Sequence, residues 1–315
     1  MKIAGRSYLS GLPARGIAAV LQFLTRDVVA ELPECSNDTA RLYRYLRRGD
    51  VVLVEGHSRV SHFIKYATQS QWTHTALYVG DELLRRGDRL REQTVAAFGA
   101  SADRLIVEAL LGEGVVVAPL EKYRAHTVRI CRPHAIEAAD LDQVIHAVLA
   151  DLGKRYDTRN LLELAAMQLF PIRLGPFKPV PPERCLGRCT GLEVICSGMI
   201  AGAFYSVGYP VLPALGSGAV DLTDDELRRV PMIGRHPSQV LPRDFDLSPN
   251  FQIIKPGLRR HSRRDCARGI RPRSDARPSR VTRLTPLAPA RSDGRPADAG
   301  EGQGPARHES LTLAM

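Results

Sequence analysis

The chain has 315 residues, 44% hydrophobic and 25% charged, with 44 basic against 34 acidic side chains and a formal net charge of +10. That composition excludes wholesale disorder and fits one large domain with appendages, or two domains. The charge is uneven. The 58 residues from Leu258 onward carry 13 Arg and six acidic residues, which is +7 of the +10, so the remaining body is nearly balanced and no specific nucleic-acid partner is indicated.

In chain order, Met1–Lys2 leads into Gly5, Arg6 and Arg15 without a continuous apolar run, which does not read as a secretory signal peptide. Residues Gly16 to Leu32 form an amphipathic pattern, with Ala18, Leu21, Leu24, Val28 and Leu32 near one face. A helix packed on the domain is expected there; a peripheral membrane helix is the alternative, though Arg26 and Asp27 give no cationic bias. Gly49-Asp50 opens a strand over Val51–Glu55. A helix follows over Ser58 to Gln69, with Val60, Phe63, Ile64 and Ala67 expected on its buried face. Asp50 is expected to serve the turn into the strand. Further strands are predicted over Thr73–Val79, Leu105–Ala109, Gly114–Pro119 and Thr127–Cys131, the middle two as a hairpin through Gly112. A helix over Ile136–Leu152 ends at Gly153. Pro171 to Pro182 is a proline-rich excursion, expected within a wall or lid over residues 158–192.

Val194 to Val220 lacks a charged residue for 27 positions, but its glycines, Pro210 and Pro213 break it. It reads as a buried helix over Val194–Val207 and a loop, not a transmembrane span. Phe251–Lys255 is the last predicted strand. The tail from Leu258 onward has six prolines, five glycines and no aromatic residue, a composition that cannot bury enough apolar surface to order itself. Strands followed by helices point to an α+β fold on an antiparallel sheet.

The six cysteines have no regular spacing. Without a signal peptide, a disulfide framework is not expected. Cys185, Cys189 and Cys196 raise a zinc site, but no CxxC pair or HxxxH partner accompanies them, and no metal or other cofactor is expected.

Three residues carry the chemistry. Cys196 begins the uncharged helix, where the positive end of the helix dipole favours thiolate. An imidazole nearby can take the proton and later return it to a leaving group, and a carboxylate on its other nitrogen fixes the tautomer. His74 and Glu108 lie on strands that could supply both; His57 and His62 flank the helix predicted over Ser58 to Gln69 and compete for the base role. Alternation sets His74, Ala76 and Tyr78 on one strand face and Thr75, Leu77 and Val79 on the other. A buried cysteine in an apolar helix is more often inert packing.

Gly49-Asp50-Val51-Val52-Leu53-Val54 and the run from Tyr66 through Trp72-Thr73-His74-Thr75-Ala76-Leu77-Tyr78-Val79 to Asp81 resemble the permuted NlpC/P60 cysteine hydrolases of the YiiX/YebB-like group. Ile106-Val107-Glu108-Ala109, Val194-Ile195-Cys196-Ser197-Gly198 and Arg243-Asp244-Phe245-Asp246-Leu247-Ser248-Pro249 match further motifs, so the resemblance covers Arg48 to Pro256. It implies a circularly permuted papain-like fold, with Cys196 as nucleophile, His74 as general base and acid, and Glu108 as orienting group. It also points to Tyr156 at an oxyanion site; Trp72 is a candidate pocket wall. Plain packing is the competing reading for both.

The expectation is therefore a helical extension over 1–47, a catalytic domain over 48–257 and a disordered tail over 258–315. The function implied is a cytoplasmic thiol amidase, in solution or peripheral to the membrane, acting on a cell-wall peptide or lipid amide. A lipid acyltransferase of the lecithin:retinol acyltransferase-like type is the runner-up in the same chemistry. A non-enzymatic protein whose tail makes a weak anionic-surface contact is the third reading.

Overall fold

Short runs rich in β-branched residues form the centre of the molecule, since such side chains suit an extended chain buried on both faces. The computed structural model describes residues 35–37, 39–124, 126–161, 185–187, 191–212, 235–256 and 258–260. The expected helix at 16–32, most of the proline-rich wall and the tail beyond 260 lie outside these residues.

The chain begins with β1 (Cys35–Asn37) and α1 (Thr39–Tyr45), then β2 (Val51–Val54), α2 (Arg59–Thr68) and β3 (His74–Gly80). After α3 (Glu82–Arg85) and α4 (Asp88–Phe98), β4 (Leu105–Leu110) and β5 (Gly114–Pro119) form the predicted hairpin. A 3-10 turn over Leu120–Tyr123 leads to β6 (Val128–Pro133), α5 (Ala138–Ala150) and β7 (Arg155–Tyr156). Past the proline-rich region come β8 (Glu193–Val194), α6 (Cys196–Ser206), α7 (Pro242–Leu247), β9 (Phe251–Ile254) and β10 (Leu258–Arg260).

Six strands make one antiparallel sheet in the order β5-β4-β3-β2-β6-β9. Alternation sends Val51, Leu53, Leu77, Val79 and Val107 to one face, where α5 and α6 cover them with Val148, Leu149, Met199, Ile200 and Phe204. Fully burying a side chain such as Ile200 or Phe204 is worth about 1.5–3 kcal/mol. Val52, Val54, Ala76, Tyr78 and Ile106 point the other way, under Leu42 of α1 and the Leu120–Tyr123 turn. The architecture is the expected α+β arrangement of an antiparallel sheet packed against helices.

Ser58 caps α2 by accepting from the Ser61 amide at 3.2 Å, and Gln69 closes it in the left-handed region. The buried face of α2 differs from expectation. Ser61, Ala67 and Thr68 are buried, while Phe63 is 41% exposed. The helix crosses close to the chain at Gly56, where a Cβ would lie 2.2 Å from Ser61 Oγ, so small side chains face inward. Helices α3 and α4 were not legible in the sequence; α4 (DRLREQTVAAF) buries only Thr94 and has no apolar stripe to announce it.

The expected domain limits meet two departures. Leu42 and Leu46, assigned to the extension, are buried in the second core. Residues 258–260, assigned to the tail, pair antiparallel with β1. The cysteines depart too: Cys185 is disulfide-bonded, while Cys131 and Cys196 are free thiols.

Gly114 connects the sheet to the site. Its φ is +83°, and an added Cβ would meet the Lys154 carbonyl oxygen at 2.2 Å. Next to it, the Val115 amide donates to Lys154 O at 2.8 Å, and this contact carries the chain into β7 and Tyr156. Gly114→Ala is expected to destabilise the protein by about 2 kcal/mol or more, through strain at positive φ and a backbone clash. A urea titration checks this; a midpoint equal to wild type would show that the approach is not tight.

Candidate active site

Strand register assembles the polar cluster. Glu108 of β4 lies opposite Ala76 of β3, so His74, two residues earlier on the same face, is its diagonal neighbour and within reach of a long side chain. His74 Nε2 is 2.8 Å from Glu108 Oε2. Glu108 is fully buried, and two more donors meet it: Lys122 Nζ at Oε1 and the Tyr123 hydroxyl at Oε2. Both come from the 3-10 turn after β5. Because β6 pairs with β2 rather than with β5, the chain after that turn must cross the sheet face that carries Glu108.

Burial opposes ionisation of Glu108, but the Lys122 charge and the His74 hydrogen bond and charge outweigh it, so its carboxyl is held down to about 2. The carboxylate is therefore an anion across the whole physiological range.

Cys196 opens α6, with Ile195 extended before it and no side-chain cap. The helix start is held by Ser197 Oγ, which donates to Val240 O at 2.6 Å. First-turn amides that lack intrahelical partners are left near the sulfur. Cys196 hydrogen-bonds His74. With Nε2 turned to Glu108, the imidazole nitrogen left for the sulfur is Nδ1. Burial alone would raise the Cys196 thiol, but the charge and hydrogen bond of His74 outweigh it and lower it below its ordinary value. The partner effect is reciprocal: burial would lower His74, and the thiolate charge and hydrogen bond of Cys196, with Glu108, raise it to about 9. Together they favour a thiolate–imidazolium pair. Cys131, buried in the core, has its thiol pushed far up by burial instead.

The remaining candidates separate. Tyr156 hydrogen-bonds Cys196 and lines a cavity beside it; burial and the nearby sulfur charge push its phenol well above the ordinary range, so it remains a neutral O–H donor. Trp72 is 3% exposed, and its Nε1 donates to Asp246 Oδ2 at 3.1 Å. The Arg129 guanidinium lies 4.7 Å over its ring and pairs with the same carboxylate. It fastens α7 to the sheet and does not line the cavity, which corrects the pocket-wall expectation. Its indole is spent on that internal contact. His57 stacks on His126 at 5.2 Å and His62 is exposed, so neither is the imidazole at the sulfur.

The cavity beside Cys196 is walled mainly by Ile64, Ala67, Leu161, Ile195, Leu241 and Pro242. Its hydroxyls are committed elsewhere: Thr68 donates to Ile64 O at 2.8 Å, Ser197 to Val240 O, and Thr73 accepts from the Gly56 amide at 2.9 Å. Leu241 and Pro242 are placed by the closing motif, where Asp244 accepts from the Leu241 amide at 2.8 Å. Among the described residues no group of three or more His, Cys, Asp or Glu side chains is arranged to hold a metal ion. No helix there is long and apolar enough to cross a membrane.

A thiol at a helix start, facing a histidine and an acidic residue that both precede it in the chain, is the arrangement of a papain-like enzyme in permuted order. Residues 45–164 match the family described as permuted papain-like amidase enzymes, YaeF/YiiX, C92 family. That match supports a permuted papain-like cysteine hydrolase, a thiol-dependent amidase by class, and its description is YaeF/YiiX rather than NlpC/P60. The match takes in His74, Glu108 and Tyr156 and stops before Cys196. Among solved structures, the chain resembles metalloprotein yiiX from Escherichia coli O157:H7. Identity is 15% over 67% of this chain and 97% of that one, at a TM-score of 0.40. No curated protein matches the chain.

One feature escaped the sequence reading, the Lys122–Tyr123 clamp on Glu108, which depends on a crossover that only the strand order reveals.

Proposed function

We propose that the enzyme cleaves an amide through an acyl-enzyme on Cys196, with His74 as general base and acid and Glu108 orienting it. The observation that carries this reading is the Cys196 sulfur at a helix N-terminus, bonded to an imidazole whose other nitrogen is 2.8 Å from a buried carboxylate. The thiolate attacks the amide carbon, and the C–N bond breaks as His74 gives its proton to the leaving amine. Water, deprotonated by His74, then attacks the thioester carbonyl and releases the acid with the cysteine restored. First-turn amides of α6 and the Tyr156 hydroxyl are the donors for the oxyanion.

The cavity favours a lipid amide over a cell-wall peptide. Its wall is apolar and its hydroxyls are occupied, so an apolar acyl end meets it without leaving a polar partner unsatisfied. With fluorogenic amides, kcat/KM is expected to be higher for an apolar acyl group than for a charged peptide one, and Cys196→Ala to abolish turnover. Preference for a charged peptide amide would reject the lipid reading; turnover by Cys196→Ala would reject the thiol mechanism. The acyltransferase alternative differs only in the second half-reaction, and product analysis with an added amine or alcohol separates them.

A further inference from the structure

The proposed mechanism uses one oxygen of Glu108; the other is held by Lys122, whose side chain is 18% exposed beside a carboxylate with none. We propose that Lys122 is a positioning residue that sets the pH range of the Cys196–His74 pair, by keeping a fixed positive charge on the far oxygen of Glu108. This rests on the thiol-hydrolase reading above.

The groups facing the pair come from separate segments: Cys196 from α6, Tyr156 from β7 with the buried Asp157 acting on it from the next position, Glu108 from β4, and Lys122 and Tyr123 from the 3-10 turn. Glu113 acts on Tyr123 from the β4–β5 connection, and the His126 ring stands edge-on to Tyr123 at 5.3 Å. Tyr123 and Tyr156 are both pushed well above the ordinary phenol range, burial being the first cause, so they stay neutral. Lys122 supplies the fixed cation closest to the carboxylate.

An uncompensated buried Glu108 would bind the imidazolium proton more tightly. An imidazolium that holds its proton too firmly is a poor acid toward the leaving amine. Lys122 opposes that excess while the Tyr123 hydroxyl fixes the oxygen shared with His74. A cation beside the site lowers every neighbouring pKa, so removing it must raise both the thiolate-forming step and the imidazolium-releasing step. A lysine present only to neutralise a buried carboxylate for folding would change stability without moving those steps in concert.

The test is the pH dependence of Cys196 alkylation by iodoacetamide, read by peptide mass on the full-length protein, with Cys131 as internal comparator. In Lys122→Gln, which keeps a donor and loses the charge, both inflections are expected to move up by about one pH unit. Lys122→Arg is expected to restore them. In Glu108→Gln/Lys122→Gln, where both charges are gone, they are expected to return toward wild type, and that neutral pair keeps the test usable if Lys122→Gln does not fold. Unmoved inflections in Lys122→Gln with a lowered melting temperature would overturn the proposal. Failure of the underlying reading looks different: wild-type Cys196 would then react no faster than Cys131 at any pH.

Discussion

Replacing His74 by alanine is expected to lower kcat/KM by about a thousandfold or more while the protein remains folded. Cys196 is buried, and burial on its own raises a thiol; the His74 charge and hydrogen bond reverse that direction. Without the imidazole, two losses coincide. The sulfur returns to a protonated thiol at neutral pH, and the leaving amine has no proton donor. Alkylation of Cys196 at pH 7 should therefore fall toward the slow rate of Cys131, whose thiol is pushed up by burial and then by the Asp246 charge. Folding is affected less, because Glu108 keeps Lys122 and Tyr123 as partners when His74 is removed. Rates on a fluorogenic amide, alkylation kinetics and a melting curve on the same sample decide the matter. A variant that is inactive because it has unfolded would expose Cys131 to rapid alkylation, the reverse of the expected result.

What the sequence disclosed and withheld follows from the range of each interaction. Strands dense in valine and isoleucine were legible because alternation and turn glycines are local signals; Val51–Val54 and the β4–β5 hairpin form nearly where expected. Helix α4 was not legible, since it rests on the surface and carries almost no apolar pattern. At the site, Cys196, His74 and Glu108 stood out through motif resemblance, and the structure brings all three together. Lys122 and Tyr123 carry no such signal. They reach Glu108 because the chain leaves an edge strand and crosses the sheet to pair with β2, a decision made by long-range register. Trp72 misled for the opposite reason. Its nearness to His74 in sequence suggested a shared pocket, but His74 is the first residue of a strand, and the indole two positions earlier turns to Asp246 instead.

Glu108→Ala is expected to destabilise the protein by about 3–5 kcal/mol as well as to impair turnover, because it leaves Lys122 partly buried without its counter-charge. The loss should depend on pH in a way that tests the assignment. Glu108 is held at about 2 in the folded protein against an ordinary value of 4.5. A carboxyl with a depressed folded value adds stability that is complete above about pH 4.5 and disappears as the pH falls through about 2. For this side chain, which has no exposed surface, the shift corresponds to about 3 kcal/mol. His74 runs in the other sense: its folded value is raised from 6.5 to about 9 by Cys196 and Glu108 against its burial. Its contribution is complete below about pH 6.5 and is lost as the pH rises through about 9. The advantage of wild type over Glu108→Ala should therefore be broadest between about pH 4.5 and 6.5 and narrow on both sides. Urea titrations across the pH range measure it. A difference that stays flat from pH 3 to 9 would mean that Glu108 contributes by filling space and that its charge is not coupled to His74.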